Sequence, residues 1–241
     1  MEPTIYTAHY EDSIILLDSK ENKYLSIIGD AAFYLDVILS NEFQCDQNIY
    51  RNSLGDFDER HLNTWIAFFK QKEMIVETCQ PQRKYRAVRP LKAGGLIDYK
   101  WDLKPSWKPL ASASKLEVMQ AFFQLVNVHR LMKRGGIKDL LERIQKKSSG
   151  NFYDPSEHEI NKLAAAVDAA SLFYPKKVFC LAWAATFVLL ALKKNWSCQL
   201  LIGVQTNPFY AHAWAKCAGQ VVNDDPTIAD VLSIILKEPQ W

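Results

Sequence analysis

The sequence is short of the features that would place it in several common classes. No C-x-x-C pair occurs among Cys45, Cys79, Cys180, Cys198 and Cys217, an odd set at irregular spacing. That argues against a disulfide framework and against a zinc site. A reducing, cytoplasmic setting follows, and neither metal nor cofactor is called for. Long apolar runs are also missing. The most apolar stretch, Val178–Leu192, is interrupted by Thr186 and falls well short of the roughly 20 residues of a bilayer span. It reads as a buried helix, and no membrane partner is expected. Met1-Glu2-Pro3-Thr4 has no basic region leading into an apolar core, so no secretory signal is expected. Repeats and low-complexity tracts are absent.

Charge of one sign does not prevail, the net being +2, but its distribution is uneven. Residues 1–79 hold 6 Lys+Arg against 14 Asp+Glu, and the remainder 23 against 13. A reversal that large suggests two units with different surfaces. An acidic first unit is poorly suited to nucleic acid, since phosphate contacts need a basic face. With 49% hydrophobic and 23% charged residues, the composition is that of a globular protein of one large or two smaller domains.

In the first 80 residues, Thr4–His9, Ser13–Leu17 and Tyr24–Ile28 are short β-prone runs, with Asp12 and residues 18–22 as turns. A helix begins near Asp30, which is suited to its N-cap. Leu62, Trp65, Ile66, Phe68 and Phe69 give helical spacing over Arg60–Lys72, and Met74–Val76 reads as a short strand. Three strands followed by helices make a winged-helix-like module. Residues 81–110, with four prolines and Gly94-Gly95, read as a linker. Amphipathic helices follow over Leu116–Leu131 and Ile137–Ile144, separated by Gly135-Gly136, and another over Asn161–Leu172 ends before Pro175. The last segment orders as a helix (Val178–Lys194) and three strands (Cys198–Val204, Tyr210–Lys216, Gln220–Asn223). The fold class is α+β.

Cys180 falls in the first turn of its helix, where unpaired N–H groups and the helix dipole favour an anion and lower a thiol pKa. Free cysteines are, however, among the most buried residue types, and a lone histidine on a half-buried strand, such as His212, is usually structural. Their order along the chain raises the interest of both. With a three-residue hairpin loop, residues 217–219, Lys216 pairs with Gln220 and His212 lies opposite Asp224. With a two-residue loop it lies opposite Asp225. Opposed side chains on one sheet face have Cβ atoms about 5 Å apart, near enough for a carboxylate to hold an imidazole. Trp214 shares the face of His212 by strand alternation and could wall the ring from water. A helix-borne cysteine, a strand-borne histidine and an acid on the next strand form the Cys–His–Asp arrangement of papain-like and transglutaminase-like enzymes.

Cys180-Leu181 with its helix, Leu201-Ile202-Gly203-Val204, the run from Pro208 to Trp214, and Gly219-Gln220-Val221-Val222-Asn223-Asp224 closely resemble the leader peptidases of lasso-peptide clusters. The N-terminal strands and helices resemble that family's precursor-recognition domain, itself similar to the small PqqD peptide chaperone. The resemblance implies a PqqD-like leader-recognition domain over 1–80, a linker over 81–110 and a transglutaminase-like cysteine peptidase domain over 111–241. It implies an ATP-independent peptidase that removes the leader from a lasso-peptide precursor before a partner cyclase of asparagine-synthetase-like type closes the ring. Cys180 is then the nucleophile, His212 the base and Asp224 the orienting acid, with the Cys180 backbone N–H contributing to the oxyanion hole. The leader is expected to add as a strand along Lys23, Tyr24, Leu25, Ser26 and Ile27, against Trp65 and Phe69 of the following helix. Two departures stand out: Ala215-Lys216 replaces the family's usual Val-Glu, and a second acid, Asp225, follows Asp224. The alternatives are acyl transfer to an amine by the same triad, a non-catalytic peptide-binding module with a structural Cys180, and a DNA-binding winged helix.

Overall fold

The structure, a computed structural model, describes residues 4–10, 12–39, 59–75, 113–206 and 208–240. The linker expected over 81–110, Val76, Cys45 and Cys79 lie outside the described residues. The chain divides into two compact units.

The first unit holds β1 (Ile5–His9), β2 (Ser13–Asp18), β3 (Lys23–Ile28), α1 (Asp30–Leu39) and α2 (Glu59–Gln71). The strands form an antiparallel meander in the order β1-β2-β3, with Ile5 opposite Asp18 and Ser13 opposite Ile28. Gly29, at φ 60°, turns the chain out of β3, and its carbonyl accepts the first helical N–H groups of α1. That left-handed turn costs glycine nothing. Alternation puts Ile14 and Leu16 on one face of β2, where they pack with Ala32, Leu35, Phe69 and Ile75. Met74 and Ile75 pack on this core without entering a strand, so no strand forms at these two positions. Their apolar character is satisfied by burial rather than by sheet pairing.

The second unit holds α3 (Lys115–Lys147), α4 (Glu157–Phe173), α5 (Cys180–Lys193), β4 (Cys198–Gln205), β5 (Tyr210–Cys217), β6 (Gln220–Val222), α6 (Ile228–Val231) and β7 (Ser233–Glu238). Helix α3 is kinked at Gly135 and Gly136, whose backbone is non-helical, which explains why the sequence reads there as two helices. Ser114 and Ser156 open α3 and α4 with capping boxes to Glu117 and Glu159. Every residue of α5 from Ala182 to Leu192 is buried, as expected of a helix without a polar face. It packs against α3 and α4 and against β4 and β5.

The sheet is antiparallel in the order β6-β5-β4-β7. Strand β7, absent from the sequence-based expectation, pairs with β4, with a register shift between Ile202 and Gly203. Its residues Ser233–Glu238 are buried at four of six positions, so tertiary cover rather than clean alternation makes it a strand. Cys198 and Cys217 are opposed across β4 and β5 and both are buried.

Gly203 stands opposite His212, and its lack of a side chain is a packing requirement. A Cβ there would lie 2.7 Å from the Leu232 Cβ and 2.8 Å from the Trp214 ring. Gly203→Ala should therefore destabilise the fold by about 1–3 kcal/mol through overpacking, read as a lower urea midpoint. An unchanged midpoint would show that Trp214 and Leu232 yield without cost.

Candidate active site

Residues Cys180, His212 and Asp224 converge although they come from three elements. Cys180 is the first residue of α5. Phe179, the N-cap, makes no side-chain capping bond, so the helix start, unlike those of α3 and α4, keeps its N–H groups for another acceptor. The acceptor is the Cys180 sulfur, which receives the backbone N–H of Leu181 and, from β5, that of Ala213. The His212 side chain lies beside the thiol, close enough for each to shift the other's ionisation.

His212 sits within β5 and is buried. Its Nε2 meets Asp224 Oδ2 at 2.5 Å, with both side chains essentially shielded from solvent. Nδ1 is then the ring nitrogen left for the thiol. The ring is flanked on its own strand face by Tyr210 and Trp214, each with centroids 6.1 Å away and planes within 20° of parallel. Strand alternation alone places these three rings in a row. Trp214 is anchored in turn by Leu201, Ile228 and Leu232.

The acid arrives by a route that differs from the sequence reading. The β5–β6 hairpin pairs Cys217 with Gln220 and Lys216 with Val221. The loop is therefore the two-residue Ala218-Gly219, with φ of 48° and 78°, the positive-φ pair that suits the twist of a tight hairpin. The expected three-residue loop is corrected accordingly. Continued alternation would now bring Asp225 to His212, but β6 ends at Val222 and Asn223 adopts a left-handed φ of 56°. That turn breaks the period of two and returns Asp224 to the imidazole. Asp225 lies outside the pair: its N–H donates to Asp224 Oδ1 at 2.8 Å, and its own Oδ1 accepts from the N–H and hydroxyl of Thr227 at 2.8 Å each.

The electrostatics favour an ion pair between cysteine and histidine. Burial alone pushes the Cys180 thiol up, but the neighbouring His212 side chain and its charge, with the N–H groups of Ala213 and Leu181, bring it below its ordinary value. Burial likewise opposes charge on His212, and Asp224 and Cys180 override it, raising its pKa to about 9. Tyr210 is pushed up to about 12 by burial and by the negative charges of Cys180 and Asp224. Cys198 presents the opposite case, since burial beside Cys217 holds its thiol well above the ordinary range. A low-pKa, partly exposed thiol next to a cation is the reactive kind. Such an arrangement can attack a carbonyl carbon and return a proton to the leaving group.

The residues expected to bind peptide belong to the first unit. Strand β3 is an edge of its sheet among the described residues. Lys23, Leu25 and Ser26 are exposed, and Tyr24 and Ile27 half-buried. Trp65 is half-buried and stacks with Tyr34 and Phe69. Phe69 itself is fully enclosed in the core, so its part is to support the aromatic surface rather than to form it. Tyr34 extends that surface and was not singled out from sequence. The aromatic pair Phe33-Tyr34 at the start of α1 was the available signal.

Comparison with known proteins gives three matches. Residues 122–236, which contain Cys180, His212 and Asp224, match the sequence family described as the transglutaminase-like superfamily. Over 97 residues, 39% of the chain, the sequence is 30% identical to the Microcin J25-processing protein McjB of Escherichia coli, and the match spans 46% of that protein's length. A crystal structure of a candidate cysteine protease from Cytophaga hutchinsonii aligns with 61% of this chain and 50% of its own, at 14% identity and a TM-score of 0.22, a level at which the folds cannot be equated. The likeness to the transglutaminase-like superfamily thus falls within the second unit, and part of the chain has a direct sequence match to a microcin-processing protein.

Proposed function

We propose that the chain is a cysteine peptidase that cleaves the leader from a lasso-peptide precursor. The observation that carries this reading is the convergence of Cys180, His212 and Asp224 at an open helix start, with His212 bonded to Asp224 and placed beside the thiol. The match to a microcin-processing protein supports this substrate class. The Cys180 thiolate attacks the scissile carbonyl, and the developing oxyanion is met in part by the Cys180 backbone N–H. His212, protonated, gives its proton to the leaving amine. Water activated by the same ring then hydrolyses the thioester. Asp224 holds the imidazole in orientation and favours its charged form. Hydrolysis without ATP follows from this chemistry.

In the same reading residues 1–80 form a PqqD-like recognition domain, 81–110 a linker and 111–241 the peptidase domain. The leader docks as a fourth strand along β3, an edge of its sheet among the described residues, beside Trp65. An asparagine-synthetase-like cyclase then takes the trimmed core, in a reducing cytoplasm that keeps Cys180 as a thiol. Acyl transfer to an amine has no observation of its own to favour it. A product assay with an added amine acceptor separates it from hydrolysis.

Cys180→Ala should abolish precursor cleavage, followed by mass spectrometry, while leaving leader affinity unchanged. In the wild type, iodoacetamide should modify Cys180 ahead of buried Cys198 and Cys217. An active Cys180→Ala protein would rule the assignment out.

Asp224→Asn should lower turnover by about 10²–10⁴-fold, as loss of an orienting carboxylate does. Asp225→Asn should chiefly cost stability, on the order of 1 kcal/mol for its bonds to Thr227. The reverse ranking would transfer the orienting role to Asp225. Turnover should also fall as pH rises through about 9, where His212 gives up its proton, and again in acid as the thiolate is protonated. Retention of full rate well above pH 9 would mean that His212 is not the proton donor.

Proline at Leu25 or at Ser26 should weaken leader binding in titration calorimetry, because successive residues of an edge strand direct their N–H groups to opposite sides. Unchanged affinity in both variants would dismiss β3 as the docking edge.

A further inference from the structure

Beyond Cys180, His212 and Asp224, one buried acid in the second unit has no part in the chemistry described. Asp168 lies on α4 within Ala164-Ala165-Ala166-Val167-Asp168-Ala169-Ala170 and is only 6% exposed. Burying a carboxyl group among alanines is costly unless it is hydrogen-bonded, and none of these neighbours has a polar side chain. Its bonds come from elsewhere. Asp168 Oδ1 accepts the indole N–H of Trp183 at 2.8 Å and the side-chain amide of Asn223 at 3.3 Å.

The identity of these two donors gives the arrangement meaning. Trp183 follows Cys180 by three residues on α5, so it occupies the same side of the helix one turn further on. Asn223 directly precedes Asp224 and is the residue whose φ of 56° ends the strand alternation. The register of β6 does not deliver Asp224 to His212; the left-handed turn does. A single oxygen of Asp168 therefore ties the helix that bears the thiol to the turn that bears the acid.

We propose that Asp168 is a positioning residue, setting the distance between the Cys180 helix and the Asp224 turn through Trp183 and Asn223. This rests on the Cys–His–Asp assignment above but on no particular substrate. Asp168 touches none of the reacting atoms. It acts by fixing Asp224 on His212, and through His212 the ionisation of Cys180.

The test uses the full-length protein and needs no peptide. The rate of Cys180 alkylation by iodoacetamide, followed against pH with mass-spectrometric site assignment, gives the thiol's apparent pKa. Each variant's urea midpoint is measured in parallel. Asn223→Gly removes the amide while keeping the backbone free to adopt positive φ. It should raise the apparent pKa by about one unit, lowering the alkylation rate in mildly acidic buffer about tenfold. Asp168→Ala should do the same or more. Asp168→Asn, which keeps an accepting oxygen, should fall between these variants and the wild type. Combining Asn223→Gly with Asp168→Ala should add little, because both break one linkage. Trp183→Phe, which drops only the indole donor, should shift the profile in the same direction.

Lower urea midpoints with an unshifted alkylation profile in Asn223→Gly and Asp168→Asn would show a merely structural Asp168 and overturn the proposal. Should Asp168→Ala fail to fold, Asn223→Gly and Trp183→Phe decide the matter alone: wild-type profiles in both overturn it. A shifted profile in a protein that cleaves no lasso precursor would leave the positioning role standing while refuting the proposed function.

Discussion

The second unit is organised around one requirement: the first residue of a helix buried from Ala182 to Leu192 must reach a histidine within a sheet. Helix α5 has no polar face, so it must be covered by α3 and α4 and by β4 and β5. That cover fixes its axis, and a fixed axis fixes its N-terminus. The N-terminus is left without a side-chain cap, so its N–H groups and dipole act on the sulfur rather than on a serine or aspartate. The contrast with the capped starts of α3 and α4 is physical: a capping oxygen at 179 would compete with the thiolate for the same donors.

Burial works against every charge in the site, yet two charges are favoured there. The thiol gains from the imidazolium and two backbone donors, and the imidazolium gains from thiolate and carboxylate. Each partner offsets part of the cost that burial places on the other's charge. Tyr210 and Trp214 keep water from the ring and leave the interaction unscreened. Gly203 belongs to the same construction, because the strand opposite His212 must approach the Trp214 ring more closely than a methyl group allows. The first unit uses a different economy. Its core is closed by Ile14, Leu16, Leu35 and Phe69, and β3 is an edge of its sheet among the described residues.

Much of this was legible in the chain. Short β-prone runs between turn residues gave the strands other than β7, the long apolar run gave α5, and the position of Cys180 after Pro175 and Lys176-Lys177 put the thiol at a helix start. The row Tyr210, His212 and Trp214 follows from a period of two and nothing else. Strand β7 was not legible, because its pairing with β4 depends on a segment distant in sequence and includes a register shift.

The choice of acid marks the division between sequence and tertiary structure. The sequence by itself determined that an aspartate would follow His212 on the neighbouring strand, since a hairpin joining β5 and β6 can bring only residues near 224 beside it. It left Asp224 and Asp225 open, because side-chain facing rests on a loop one residue longer or shorter. Tertiary structure decided for Asp224 against the register of the shorter loop, through the left-handed turn at Asn223. Positive φ at asparagine is affordable but seldom chosen locally. Here the side chain of Asn223 reaches Asp168 on a helix 55 residues earlier, a contact that no local pattern encodes and that exists only once α4, α5 and the sheet have packed.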